Sequence, residues 1–200
     1  MIIGLTGTYC AGKNRVASLF EARGLPVLDV DKLGYKALEA EKEAVLAQFG
    51  FDLQKNDGSL DRRLLGQRVF KDPEKLTALE NIVHPAANRL TDEWAAAQKG
   101  HYVINAALLH RSSIFHRLDK LIVVKAPFVT RLIRARRRDK LPWRDILKRF
   151  ASQKDFNRRY LSVNTKDFSA EIHIVENPGL NNTGNIKLER RIDMIIEGIV

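Results

Sequence analysis

The sequence predicts an α/β fold of the doubly wound type, a parallel sheet covered by helices on both faces. Five short segments are rich in Val, Ile or Leu, and several are almost continuously apolar, which is typical of strands buried on both faces. Helical patterns fill the intervals, and the first thirty residues predict a strand, a glycine-rich turn, a helix and a second strand. The predicted strands lie at residues 2–6, 25–29, 102–106, 120–125 and 171–176.

The remaining patterns fit around this sheet. Val16, Leu19 and Phe20 follow helical spacing after the glycine-rich turn, and Gly24 is a plausible end for that helix. The interval from about 32 to 98 contains amphipathic helical patterns and no good strand, broken by the turn signal "KNDGS" at 55–59. We therefore predict a single domain over 1–200 with a helical insertion at about 32–98.

Composition limits the class of protein. The 200 residues with 44% hydrophobic content suffice for one compact domain, and no apolar stretch approaches the ~20 residues that span a bilayer. The N-terminus lacks the pattern of a signal peptide, and the single cysteine, Cys10, cannot form an internal disulfide. We expect a soluble cytoplasmic protein with no membrane partner.

The net charge of +10 predicts an anionic partner, either nucleic acid or a polyphosphate nucleotide. Much of the excess lies in the basic segment, residues 131–149, which holds nine Lys and Arg against two Asp. A solvated helix face or an RNA-binding patch would account for such a run. A cluster around a nucleotide would account for it equally well.

The stretch "GTYCAGKN", Gly7 to Asn14, nearly matches the phosphate-loop signature G-x-x-x-x-G-K-[ST]. Gly7 and Gly12 occupy the glycine positions, and Lys13 could reach the β- and γ-phosphates. The final position, where a hydroxyl would hold magnesium, is Asn14. A plain glycine turn is the alternative, but the motif follows a predicted strand and opens a helix, which favours nucleotide binding.

The second predicted strand ends in "LPVLDVDK", which places Asp29 and Asp31 at the carboxyl end of a strand that we expect beside the loop. A carboxylate there could accept a hydroxyl proton during phosphoryl transfer or hold magnesium through water. It could also simply cap the next helix.

Four segments together carry a family resemblance: "GLTGTYCAGK", "PVLDVDKLGY", "DGSLDRRLLGQRVF" and "LENIVHP". Their order resembles the dephospho-CoA kinase family over most of the chain. The resemblance implies a P-loop kinase fold with a five-stranded parallel sheet, a helical substrate-binding insertion that binds CoA, and a helical lid at about 130–160. It also implies transfer of a phosphoryl group from ATP, with Mg²⁺, to the ribose 3'-hydroxyl of dephospho-CoA.

The resemblance assigns roles to individual residues. Asp31 would be the catalytic base, with Lys13 and Arg138 also catalytic, and Arg62, Arg63 and His84 would lie on the substrate side. His84 could equally be architectural. The residues expected to bind ATP are Gly7, Cys10, Ala11, Gly12, Lys13, Asn14, Arg15, Arg134 in the lid, and Asn177 near the adenine. Gln153 matches a family glutamine that follows the lid arginines.

The chain departs from the family pattern at Asn14, the expected metal ligand, and at Asn105, where an Asp is common. Ala107 and Arg111 also differ from the family's residues. An amide oxygen is neutral and bulkier than a hydroxyl, whereas magnesium demands a tight octahedron. We expect Asn14 to weaken magnesium binding without abolishing turnover, so that Asn14→Ser lowers the magnesium requirement.

Alternatives remain open at this point. One is a catalytically impaired homologue that binds nucleotide or CoA, and another is a nonenzymatic RNA-binding protein. We expect nucleic acid not to be the partner, and a monomer or weak homo-oligomer. Cys10 lies among phosphate-facing amides, where a lowered thiol pKa would make it sensitive to oxidation; a small filler residue is the simpler interpretation.

Overall fold

The computed structural model describes residues 1–161, 168–179 and 182–198. The chain divides into two compact units, one of Met1–Leu28 with Gln98–Val200, which we call the sheet unit, and one of Asp29–Ala97, the helical unit. The domain interpretation, an insertion at about 32–98 and a lid at about 130–160 within one domain, stays a prediction.

The sheet confirms the predicted fold class. It is five-stranded and parallel, and all five segments that the sequence predicts as strands form it. The strands are β1 (Ile2–Gly7), β2 (Val27–Asp29), β3 (Tyr102–Asn105), β4 (Lys120–Lys125) and β5 (Glu171–Glu176), in the spatial order β2-β3-β1-β4-β5.

The strand order corrects one expectation. The strand that ends at Asp29 is not beside β1, because β3 lies between them; Val103 N donates to Pro26 O at 2.9 Å. In the β1–β3 register Leu5 pairs with Asn105. The polar residue that ends β3, the strand paired with β1 on this side, is therefore Asn105.

The helices account for most of the remaining described residues. Helix α1 packs Val16 and Phe20 against the sheet, where they join a core that includes Ile3, Leu5 and Val103. The helices are α1 (Lys13–Glu21), α2 (Val30–Ala40), α3 (Lys42–Phe49), α4 (Arg62–Val69), α5 (Pro73–Ala96), α6 (Phe128–Asp139), α7 (Trp143–Ala151), α8 (Phe156–Leu161) and α9 (Asn182–Glu197). Helices α6 to α8 follow β4 and contain the basic segment.

The helical unit consists of α2 to α5 with its own apolar core, in which Val45, Leu53 and Val69 are fully buried. The predicted turn at 55–59 is present, closed by Lys55 N donating to Ser59 O at 2.9 Å. Pro85 lies inside α5. Among the helices of the described residues, none is long and apolar enough to cross a membrane.

Candidate functional site: a phosphate loop between strand β1 and helix α1

The glycine-rich turn connects β1 to α1 directly, and its backbone requires both glycines. Gly12 has φ 94°, and a Cβ there would lie 2.2 Å from Asn177 Nδ2. A Cβ at Gly7 would lie 2.9 Å from Val124 O. Gly12 therefore supplies a left-handed conformation and both positions allow close backbone approach, as a phosphate loop needs.

The start of α1 is open to an anion. Gly12 provides no side-chain cap, and the first turn contains no acidic residue. Unpaired N–H groups at a helix N-terminus and the positive end of the helix dipole favour a negatively charged ligand. Two of the loop amides that we expect at the phosphates are already paired within the loop: Ala11 N donates to Thr8 O at 2.9 Å and Arg15 N donates to Gly12 O at 3.0 Å.

The carbonyl side of the loop is held by two side chains. Arg134 Nη1 and Asn177 Nδ2 donate to Ala11 O at 2.9 and 2.8 Å. Arg134 Nη2 also donates to Gly179 O at 2.7 Å and to Asn177 Oδ1 at 3.3 Å. Asn177 is 1% exposed. These two residues, expected to bind ATP, thus hold the backbone of the loop, whereas their contact with nucleotide stays a prediction.

Tyr9, a variable position of the loop motif, joins the loop to helices α6 and α7. Its backbone N donates to Gln153 Oε1 at 2.5 Å, and its carbonyl accepts from Arg131 Nε at 2.9 Å. The guanidinium groups of Arg138 and Arg149 lie 5.3 and 5.9 Å from the centre of the Tyr9 ring, within cation–π range. The basic segment therefore packs on the loop.

Asp139 completes this cluster. Its carboxylate accepts hydrogen bonds from Tyr9 Oη, from Arg138 Nε at 2.6 Å and from Arg149 Nη1 at 2.9 Å. The Arg138 guanidinium holds the pKa of the Asp139 carboxyl below its usual range, and the Tyr9 hydroxyl adds to the effect. One acidic residue thus organises two arginines and an aromatic ring beside the loop.

The opposite end of the loop carries the two departures from the family pattern, and they are in contact. Asn105 Nδ2 donates to Asn14 Oδ1 at 3.3 Å. Asn105 ends β3 and is 1% exposed, whereas Asn14, the second residue of α1, is exposed. Asn105 Oδ1 is buried and has no hydrogen-bond partner among the described residues.

The environment of Cys10 argues against a reactive thiol. Burial raises the pKa of the Cys10 thiol, and the Arg138 charge offsets only part of that shift. The lowered pKa that we considered from the helix N-terminus is therefore wrong. Cys10 has φ 59°, so it occupies a left-handed loop position as a small side chain.

The residues expected on the substrate side belong to the helical unit. Asp29 caps α2 by accepting from Lys32 N at 3.2 Å, which confirms the capping interpretation, and Asp31 is exposed in the first turn of that helix. His84 is partly buried within α5. Arg62 and Arg63 are the first two residues of α4 and are exposed.

Two surface cavities adjoin these arginines. One, of about 420 Å³, is lined by Arg62, Arg63, Lys55 and Asp61, with Ser59 and Leu60. The other, of about 360 Å³, is lined by Arg62, Arg63, Gly66, Gln67, Phe70 and Lys71. Both cavities are predominantly cationic, because Arg62, Arg63 and a lysine in each outnumber the one acidic lining side chain, Asp61, which caps α4 by accepting from Leu64 N at 2.9 Å.

Comparison with known proteins decides the family. The sequence profile of the family described as "Dephospho-CoA kinase" matches residues 1–166. The chain belongs to the dephospho-CoA kinase family. A protein named dephospho-CoA kinase in Shouchella clausii (strain KSM-K16) is 34% identical over 190 residues, which cover 92% of this chain and 93% of the relative.

Solved structures agree with the fold of the dephospho-CoA kinase family. The crystal structure of TT1252 from Thermus thermophilus matches with a TM-score of 0.79 and 32% identity, covering 100% of this chain and 98% of that one. The dephospho-CoA kinase from Campylobacter jejuni matches with a TM-score of 0.65 and 24% identity, covering 99% of this chain and 96% of that one, and supports the fold alone.

Within this member of the dephospho-CoA kinase family, sequence reasoning missed three residues that shape the loop: Tyr9, Arg131 and Asp139. A tyrosine at a variable motif position carries no signal of its own. Asp139 is one of only two acidic residues in the basic segment, and this position could have marked it as a partner for the arginines. Its partner Tyr9 is 130 positions away and could not be inferred from spacing.

Proposed function

We propose that this protein is a dephospho-CoA kinase, which transfers the γ-phosphoryl group of ATP to the ribose 3'-hydroxyl of dephospho-CoA and so forms coenzyme A. The observation that carries the proposal is the phosphate loop, which connects a strand to a helix through the left-handed Gly12. Membership of the dephospho-CoA kinase family supports the same function. Charge and backbone amides at this loop suit a polyphosphate.

ATP is the phosphoryl donor in this proposal. Lys13 and the loop backbone receive the β- and γ-phosphates, and Arg134 and Arg138 supply further positive charge. Asn177 lies near the adenine. Positioning and charge stabilisation supply most of the rate in phosphoryl transfer, since the protein forms no covalent bond to the group that moves.

Magnesium accompanies ATP in the proposal, and the loop offers an atom of the type that magnesium binds. Magnesium takes oxygen ligands, and Asn14 Oδ1 is an oxygen at the position where a phosphate loop presents one. When bound, the ion would neutralise part of the charge on the phosphates. The residue of this chain that would hold it is Asn14, whose Oδ1 accepts from Asn105 Nδ2 in this structure.

Asp31 is the proposed base. Its carboxylate accepts the proton of the 3'-hydroxyl as that oxygen bonds to the γ-phosphorus, while the bond from that phosphorus to the β–γ bridging oxygen breaks and ADP leaves. The exposure of Asp31 and the use of Asp29 as a helix cap support this division of roles between the two carboxylates.

Arg62 and Arg63 are proposed to bind the anionic groups of dephospho-CoA, with His84 on the same substrate. Both arginines stand in the first turn of α4, where the helix dipole disfavours positive charge. An anionic ligand in the adjoining cavities would remove that conflict. Lys55 and Lys71 add to the positive charge there.

The contacts of the basic segment favour the kinase over a nucleic-acid-binding protein. Four of its nine cations contact the loop or Asp139: Arg131, Arg134, Arg138 and Arg149. A face for RNA would present its cations outward to successive phosphates. The amide pair Asn14–Asn105 is the observation that favours the second candidate, a homologue that binds substrates with impaired transfer.

The test is purified protein incubated with ATP, Mg²⁺ and dephospho-CoA, with the 3'-phosphorylated product followed by mass spectrometry. We expect product from the wild type and a loss of about 10² to 10⁴-fold in kcat for Asp31→Asn, with ATP affinity unchanged. Tight binding of both substrates by calorimetry with no product would establish the impaired homologue instead.

A further inference from the structure

The contact between Asn14 and Asn105 leaves one strong acceptor without a partner. Asn105 is 1% exposed, and its Nδ2 is used to donate to Asn14 Oδ1 at 3.3 Å. Its Oδ1 is buried and has no hydrogen-bond partner among the described residues. A buried acceptor that stays unpaired costs free energy, so this oxygen is a place where a ligand's donor or a cation would be stabilised.

The pair occupies the place where phosphate loops hold magnesium. In such loops a Ser or Thr hydroxyl at the helix start and an acidic residue on a neighbouring strand share the ion. Here the helix position is Asn14 and the strand position is Asn105, paired with Leu5 of β1. Both side chains are amides, so this metal-binding position, which we call the amide seat, carries no charge.

Asp139 is a carboxylate of the sheet unit that contacts the loop, through the Tyr9 hydroxyl. Asp139 is engaged by Arg138 and Arg149, which neutralise it. No group of three or more His, Cys, Asp or Glu side chains that could hold a metal occurs within residues 1–161, 168–179 and 182–198. Asn14 and Asn105 themselves offer a divalent cation no negative charge.

We propose that Asn14 and Asn105 act as one neutral amide seat, so that this loop discriminates little between metal-free ATP and magnesium–ATP. A buried carboxylate at position 105 would repel metal-free ATP and so favour the magnesium complex. A neutral amide neither repels metal-free ATP nor favours the magnesium complex by its charge. The inference rests on the proposed function, because it concerns how ATP binds at the same loop.

The hydrogen bond makes the two positions interdependent, which revises the expectation for Asn14→Ser. That variant alone shortens the side chain that accepts from Asn105 and leaves a buried amide unpaired, without adding charge. Asn105→Asp alone adds a buried charge beside an amide. The double variant Asn14→Ser/Asn105→Asp restores a hydroxyl that can donate to a carboxylate, and only this variant is expected to prefer the magnesium complex strongly.

The experiment measures the dissociation constant of a non-hydrolysable ATP analogue by calorimetry, in excess magnesium and in chelator. We expect the wild-type constants to agree within about threefold, and the double variant to bind at least about tenfold more tightly with magnesium. Electron paramagnetic resonance of Mn²⁺ with the analogue gives an independent count of bound metal. Asn56→Asp, an exposed position in the helical unit, adds the same charge elsewhere and should leave the wild-type ratio unchanged.

The outcomes separate this inference from the proposed function. A wild-type preference of about tenfold or more for the magnesium complex overturns the neutral seat and leaves the kinase proposal standing. A folded double variant with the wild-type ratio also overturns it. Failure of the wild type to bind the analogue in either condition overturns the proposed function, and the neutral seat with it.

Discussion

The two ends of the phosphate loop are built differently. At Tyr9 and Ala11 the protein supplies the hydrogen-bond partners itself: Gln153 and Arg131 hold the Tyr9 backbone, and Arg134 holds the Ala11 carbonyl. At the helix start, Asn14 receives a single described side-chain hydrogen bond of 3.3 Å, from a residue whose own oxygen is unpaired.

The difference in hydrogen bonding between the two ends shows which part of the loop is preorganised. Charged donors fix the backbone at the Tyr9 end, so that end costs little further ordering when a ligand binds. At the Asn14 end, Asn105 Oδ1 has no hydrogen-bond partner among the described residues, so a ligand can complete it. Variants at the first end should mainly change stability, and variants at the second should mainly change nucleotide binding and transfer.

Among the variants of the two loop ends, Lys13→Met should give the largest effect, and it should act mainly on nucleotide binding and transfer. Lys13 begins α1, at the end of the loop that the ligand completes. Removing a cation aimed at the transferring phosphates typically costs about 10² to 10³-fold in kcat. The measurement is steady-state kinetics, with thermal unfolding to show that the fold persists. Lys187→Met, an exposed lysine of α9, is the matched control and should keep wild-type kinetics.

Arg134→Ala should mainly destabilise the protein. The guanidinium donates to Ala11 O, Gly179 O and Asn177 Oδ1, and the loss of charged hydrogen bonds at a partly buried site should lower the free energy of unfolding by about 2 to 3 kcal/mol. Urea denaturation measures the change. Arg137→Ala, at an exposed position of the same helix, should cost less than about 0.5 kcal/mol.

A loss for Arg134→Ala no larger than that for Arg137→Ala would mean that the carbonyl end of the loop is not preorganised by this side chain. The statement that the protein preorganises the Tyr9 end of the loop would then be wrong for Arg134.

Asp139→Asn should have a smaller effect that depends on pH. The pKa of the Asp139 carboxyl is lowered in the folded state, chiefly by Arg138, so its stabilisation is fully present above about pH 5 and is lost as the pH falls below about 4. At pH 6 the variant should be about 1 to 2 kcal/mol less stable than wild type. Urea denaturation from pH 3 to pH 6 should show the two curves converging at the acid end. A gap that stays constant with pH would mean that the charge of Asp139 contributes nothing.

Sequence reasoning reached the sheet and the loop because both depend on local patterns. Apolar runs predict the five strands, and the glycine spacing before a helix predicts the turn around Gly12. The strand order was not accessible in the same way, and the expected neighbour of β1 was wrong because β3 lies between it and β2.

The side-chain contacts of the site were beyond sequence reasoning for a related reason. Asn14 and Asn105 are 91 positions apart, and Tyr9 and Asp139 are 130 apart. Such pairs meet only because strand order and helix packing bring them together. The sequence marked Asn14 and Asn105 as two separate departures, whereas the structure makes them one feature.

Cys10→Ser should give the smallest effect of all, and it tests whether the preorganised end tolerates a conservative change at a small side chain that interacts with Tyr9. Burial raises the pKa of the Cys10 thiol, so little thiolate is present near neutral pH for peroxide to attack. We expect Cys10→Ser to change kcat/KM by less than about twofold, and wild-type activity to survive peroxide with or without bound ATP. Inactivation by peroxide that ATP prevents, and that Cys10→Ser abolishes, would show that the thiol is reactive despite its burial. The positive charges of the arginines around Cys10 would then outweigh the effect of burial on the pKa of its thiol. The Tyr9 end of the loop would have a chemical role as well as a structural one.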